Sequence, residues 1–99
     1  MSESSGTINV GLLAYGAIGD EHNRAIAATP GLRLVAVADT NPERLAAAQL
    51  LAPDVTTFAD STAMLDSGLL ELVVISTPPN SHYQWAKESL ARGINVILE

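Results

Sequence analysis

The sequence has no cysteine, one lysine (Lys87) and only four aromatic residues: Tyr15, Phe58, Tyr83 and Trp85. Without thiols there is no disulfide, no thiolate metal site and no thiol nucleophile. The few basic residues are scattered and the net charge is −6, which argues against nucleic acid as a partner. Binding a phosphate backbone needs clustered Lys and Arg. No apolar run approaches the roughly 20 residues that a membrane helix needs, so no membrane partner is expected. The opening M-S-E-S-S-G-T is polar and acidic, unlike a signal peptide, and a cytoplasmic location is the expectation. What remains is an apolar fraction of 47%, enough for a core. With so few aromatics, alanine and aliphatic residues must fill it, which suits helices packed closely on a sheet.

The chain alternates strand and helix patterns with no internal repeat or linker. A strand is expected over 7–13 and a helix over 17–28, stopped by Thr29-Pro30-Gly31. A second strand over 32–38 reads V-A-V-A at its centre, a run suited to burial on both faces. Thr40 or Asn41 can cap the next helix, with Pro42 in its first turn and Pro53 beyond its end. Short elements follow: a strand over 56–58 and a helical turn over 61–66 with Ser61 as its cap. A fourth strand over 70–76, a loop at Pro78-Pro79-Asn80, a helix over 81–92 with Gly93 behind it, and a strand over 94–98 complete the chain. Five strands and four helices in this order predict an α/β fold, a doubly wound parallel sheet of order 3-2-1-4-5. The ligand crevice of such a sheet opens where strands 1 and 4 diverge, between loops 15–19 and 77–82.

The stretch 8–19, I-N-V-G-L-L-A-Y-G-A-I-G, carries the chemistry. A buried strand breaks into a glycine turn, a helix follows, and Asp39 stands at the end of the second strand, twenty residues past Gly19. This is the layout of a dinucleotide-binding βαβ unit, hence a Rossmann-like sheet. Gly16 lets backbone N–H groups approach a pyrophosphate, and the helix directs its positive end at the same anion. Gly19 allows close helix packing, and Asp39 can accept hydrogen bonds from ribose hydroxyls. A carboxylate there repels a 2′-phosphate, so NAD is favoured over NADP. The alternatives are a glycine turn without a ligand and an Asp39 that only caps a helix. The first glycine of G-x-G-x-x-G is Ala14, tolerable at negative φ and costly at positive φ. Tyr15 covers either the cofactor or the sheet edge. Asp20 and Glu21 are expected to point to solvent, Arg44 to sit exposed on the second helix, and Trp85 to pack in the core. Histidine is the residue type suited to acid–base work at neutral pH, but His22 reads as a packing or inter-domain residue and His82 as one that shapes the crevice.

The second half, L-E-L-V-V-I-S-T-P-P-N-S-H followed by W-A-K-E-S-L-A-R-G-I-N-V-I-L-E, resembles the glucose–fructose oxidoreductase and inositol dehydrogenase (Gfo/Idh/MocA) family. That family has T-P-x-x-x-H after the fourth strand, then A-x-G, then E-K-P. Thr77, Pro78 and His82 match the first signature, residues 91–93 the second, and Glu99 the opening acid of the third. Gly16, Ile18, Gly19 and His22 match its G-x-I-G-x-x-H. The resemblance implies an NAD(P)-dependent oxidoreductase acting on a sugar, polyol or related hydroxyl, with a small-molecule substrate and a homo-oligomeric parent. Tyr15, Gly16, Ala17, Ile18, Gly19, Asp39, Thr77, Pro78, Asn80, His82 and Glu99 are then the candidate cofactor contacts. The family's catalytic lysine would follow Glu99, and its substrate domain is a second domain. On this reading residues 1–6 are a leader and 7–99 an incomplete nucleotide-binding domain, truncated after the fifth strand and inactive alone. A dinucleotide-sensing module and an amino-acid dehydrogenase with the same core are the alternatives.

Overall fold

Neighbouring residues Leu12 and Leu13 point to opposite faces of the first strand, and both are buried, as a strand covered on two sides requires. The computed structural model describes residues 6–99. Of the expected leader 1–6 all but Gly6 lies outside the described residues. Five strands form one sheet: β1 (Ile8–Leu13), β2 (Leu32–Ala38), β3 (Thr56–Phe58), β4 (Leu72–Ile75) and β5 (Asn95–Leu98). All pairings are parallel and the order is β3-β2-β1-β4-β5, as the alternation of elements predicts. The helices α1 (Gly19–Ala28), α2 (Pro42–Leu51), α3 (Ser61–Asp66) and α4 (His82–Ala91) supply the crossovers.

Two apolar layers result. Val10, Leu12, Tyr15, Ile26, Val37, Ala48, Val55 and Val74 pack on one face, which α1 and α2 cover. Leu13, Ala36, Ala38, Met64, Leu65, Val73, Ile75 and Ile94 pack on the other beneath α3 and α4, with Trp85 partly buried against them. Trp85 is therefore a packing residue, as expected. The many alanines let the helices sit close. Gly11 does the same within β1, since a Cβ there would come within 2.6 Å of Leu70 Cδ1. The β1–β2 register shifts between Val10 and Gly11, a bulge that increases the local twist.

Local signals explain most element ends. Asn41 caps α2, its Oδ1 accepting the Glu43 N–H at 2.9 Å, and Pro42 opens the helix. Gly93, at φ +76°, follows α4 in the left-handed conformation that glycine adopts without penalty. Several boundaries differ from expectation, and β1, α4 and β5 are each shorter by one residue at one or both ends. Asp60, not Ser61, caps α3, accepting the Thr62 N–H at 3.1 Å; in A-D-S the stronger acceptor takes the extended position. Helix α1 starts at Gly19 rather than Ala17, because the intervening residues form the turn itself. The fourth strand is shorter than 70–76, with regular pairing confined to Leu72–Ile75. The loop after it tightens into a 3₁₀ turn at Pro79–Ser81, which the fixed φ of two prolines favours. Among the described residues no helix is long and apolar enough to cross a membrane.

Candidate functional site

The strand ends fix the site. Ala14 N–H donates to Ala38 O (2.8 Å), Ser76 N–H to Leu13 O (3.0 Å), Asp39 N–H to Phe58 O (3.0 Å) and Glu99 N–H to Ile75 O (3.1 Å). Each bond is the last rung of a ladder, and the loops spring from just beyond it. Tyr15, Asp39, Thr77 and Glu99 are thereby brought to one edge of the sheet, the edge a doubly wound fold uses for ligands.

The first loop is held from both sides. Ala14 stands at φ +80°, so its methyl occupies the strained left-handed region where the motif has glycine. The costly alternative of the two weighed for Ala14 is thus the one adopted. Next to it, Tyr15 N–H donates to Asp39 Oδ2 (2.8 Å), and Asn41 N–H donates to Asp39 Oδ1 (2.9 Å). Asp39 does not cap α2, a role Asn41 fills. Its carboxylate joins this loop to the one that follows β2, and each oxygen keeps a lone pair for a further donor. Arg44, although exposed, reaches back so that its Nη1 donates to Tyr15 O (3.2 Å).

Tyr15, Asn41 and Arg44 border a pocket of about 280 Å³ that Gly16, Ala17 and Asp20 also line. A Cβ on Gly16 would meet nothing within 4 Å, so the backbone there faces open space that any side chain would fill. The N-terminus of α1 carries no side-chain cap; Gly19 N–H is taken by Gly16 O (2.9 Å), which leaves the next two N–H groups, of Asp20 and Glu21, to an outside acceptor. A larger hollow, about 540 Å³, lies along β2 and shares no strand-end loop. It exists because β3 pairs only with the last three residues of β2, and it carries none of the candidate chemistry.

Tyr15 gives this loop its backbone N–H and C=O, and its side chain lies beneath. Its ring is 2% exposed, beneath the turn, and Gly19 exists for it: a Cβ on Gly19 would fall 2.6 Å from the ring. The ring therefore covers neither the cofactor space nor the sheet edge. Its hydroxyl donates to Asp20 Oδ1 (2.6 Å) and accepts from Asn23 Nδ2 (3.2 Å). Asp20 is consequently tied to the turn rather than free in solvent, whereas Glu21 is exposed as expected. Burial first, then the bond to Asp20, pushes the Tyr15 phenol up to about 12.

The second loop is cross-braced. Ser81 Oγ lies 2.7 Å from Thr77 Oγ1 and 2.8 Å from Pro78 O. His82 Nε2 sits 2.7 Å from Thr77 O, and since a carbonyl only accepts, that nitrogen carries the proton. His82 thus fastens the loop it follows. Pro78 and Asn80 are exposed on it, and Ile18 and Ala17 are exposed on the facing loop. Beside them His22 Nε2 lies 3.8 Å from Glu99 Oε1. His22 Nε2 and Ser76 Oγ are both buried without a hydrogen-bond partner among the described residues. Sequence reasoning missed the parts played by Asn23, Arg44 and Ser81, and the bond from Asn41 N–H to Asp39, although it named Asn41 as a cap. For Asn23 a signal was present, a polar residue on the helix face that carries Ile26.

The parallel order, the glycine turn and the acid ending β2 together define a dinucleotide-binding Rossmann domain. The chain belongs to the GFO_IDH_MocA oxidoreductase family, NAD-binding Rossmann fold, whose model matches residues 8–99. An inositol 2-dehydrogenase of Burkholderia multivorans is 30% identical over 95 residues, 94% of this chain and 28% of the relative. Among solved structures, the WlbA dehydrogenase of Bordetella pertussis, in complex with NADH and UDP-GlcNAcA, is 34% identical with a TM-score of 0.84. The match covers 93% of this chain and 28% of that one. The scyllo-inositol dehydrogenase of Lactobacillus casei, with bound NAD(H) and scyllo-inositol, is 27% identical with a TM-score of 0.85, over 93% of this chain and 27% of that one. The chain therefore spans little more than a quarter of the length of these proteins.

Proposed function

We propose that this chain is the dinucleotide-holding part of an oxidoreductase that acts on a sugar, polyol or related hydroxyl compound, and that it prefers NAD to NADP. The observation that carries the preference is the Asp39 carboxylate, fixed at the end of β2 by two backbone N–H groups beside the pocket under the glycine turn. The residues fit such a cofactor. Gly16 leaves the space that a pyrophosphate needs, and the uncapped end of α1 offers N–H groups to it. Asp39 would accept from the ribose hydroxyls of the adenosine half. Thr77, Pro78, Asn80 and His82, on the braced second loop, and Glu99 would flank the other half.

When bound, the nicotinamide would accept or deliver a hydride at the substrate's carbinol carbon. The chain's own groups orient and enclose; none of them is assigned the proton transfer. His82 spends its proton on Thr77 O, which suits a brace better than an acid. The family relatives' names speak for the oxidoreductase over a dinucleotide sensor or an amino-acid dehydrogenase. A homo-oligomeric parent, a cytoplasmic location and a domain spanning 7–99 are part of the same proposal.

Calorimetric titration of the chain with each cofactor tests the reading. NAD should bind more tightly than NADP by about 1–3 kcal/mol, the repulsion between Asp39 and a 2′-phosphate. Equal or stronger NADP binding would overturn the role of Asp39.

A further inference from the structure

The first turn of α1 contains a contradiction. Its N–H groups and positive end suit an anion, yet Asp20 places a carboxylate in that turn, bordering the pocket beside Gly16 and Ala17. A free carboxylate there is drawn to the N–H groups that an incoming phosphate needs, and competes for them as an anion of the protein's own.

The buried phenol beside it resolves the conflict. Tyr15 OH has one hydrogen to give, and Asp20 Oδ1 receives it at 2.6 Å. The hydroxyl is itself aimed by Asn23, a buried amide whose Nδ2 also donates to Ala48 O at 3.2 Å. The ring cannot swing away, because it fills the space left by the missing side chain of Gly19. Asp20 is thus anchored through Tyr15 and Asn23 to the seam between α1 and α2.

We propose that Tyr15 is a positioning residue whose phenol holds the Asp20 carboxylate out of the phosphate path, keeping the helix end open to a dinucleotide. The inference rests on the dinucleotide reading of this turn. The phenol stays protonated across the neutral range, so the restraint does not lapse with ordinary changes of pH.

The test is NAD titration of the wild-type chain, Tyr15→Phe, Asp20→Asn and the double variant. Phenylalanine keeps the ring and removes only the donor. Tyr15→Phe should weaken NAD binding about fivefold, the scale of one charge at a helix end. Asp20→Asn should bind at least as tightly as wild type, and the double variant should recover to the Asp20→Asn value. Packing alone predicts no such rescue. An unaffected Tyr15→Phe, or a double variant as weak as Tyr15→Phe, would overturn the inference while leaving the cofactor reading intact. A wild-type chain that binds no NAD would instead sink the cofactor reading and this inference with it. Ultraviolet titration of the tyrosines adds a ligand-free arm: Asp20→Asn should lower the Tyr15 pKa, and an unmoved pKa would refute the bond on which everything here depends.

Discussion

Replacing Ala14 with glycine should make the protein more stable, against the usual direction of an alanine-to-glycine change. At φ +80° the alanine methyl crowds the backbone, a cost of about 1–2 kcal/mol for an L-residue in the left-handed region. Glycine gives back about 0.5–1 kcal/mol through the greater freedom of the unfolded chain. Loss of a half-buried methyl returns a few tenths more, taking about 0.8 kcal/mol as the value of a fully buried one. The net gain is about 0.5 kcal/mol, or a Tm higher by about 2–4 °C in a domain of this size. The conformation itself should not relax, because the Ala14 N–H is fastened to Ala38 O and Tyr15 N–H to Asp39. Urea and thermal unfolding would measure the change, with an unaltered m-value showing that stability, and not the surface exposed on unfolding, has changed. The companion variant is Ala14→Val, whose β-branch should lower stability below wild type. An Ala14→Gly protein no more stable than wild type, or an Ala14→Val protein equal to it, would refute the argument that this position is strained.

Gly16→Val should stay folded yet lose NAD binding, since its side chain enters open space rather than the core; binding at wild-type strength would mean that no anion sits on this turn. Stability should fall more steeply than expected in alkali. A phenol raised to about 12 by burial favours the folded state fully below its unfolded value near 10, and that contribution drains away between the two. Denaturation of wild type and Tyr15→Phe across that window should converge as pH rises, and parallel curves would contradict the assignment. In β5 the donors alternate: Asn95 and Glu99 N–H groups bond β4, so Ile97 faces the sheet and Val96 and Leu98 turn theirs outward. Hydrogen exchange in a monomeric sample should therefore be fast at Val96 and Leu98 and slow at Ile97, and uniform protection along β5 would show that something covers the edge.

Strand and helix order was open to reading because each element carries its own pattern. V-A-V-A in β2, Asn41-Pro42 at the start of α2 and Gly93 after α4 act locally, and each landed where expected. The misread features depend on choices among neighbours. In A-D-S both Asp60 and Ser61 can cap, and only the backbone decides which is extended. The direction of the Tyr15 ring follows from vacant space at Gly19, four residues on, and from the buried Asn23. Asp39 was placed correctly at the strand end, yet its double attachment to Tyr15 and Asn41 could not be seen without the fold that makes them neighbours. Arg44 shows the limit from the other side. An exposed helical arginine is an ordinary surface residue until a loop from another part of the chain supplies a carbonyl.

The rim of the sheet also works as a ruler. Asp39 ends β2 and Glu99 follows β5, with β1 and β4 between them, so three strand spacings separate the two acids. At about 4.8 Å each, that is roughly 14 Å along the edge. A molecule touching both must be long and extended, and its two ends meet different loops on different crossovers. On the proposed reading the adenosine and nicotinamide halves of a dinucleotide are separable ligands: adenosine monophosphate would report on the loops after β1 and β2, nicotinamide mononucleotide on those after β4 and β5. Whatever joins them gains only if the sheet keeps its spacing, which makes the interval between strands, rather than any one side chain, the quantity that selects the length of the guest.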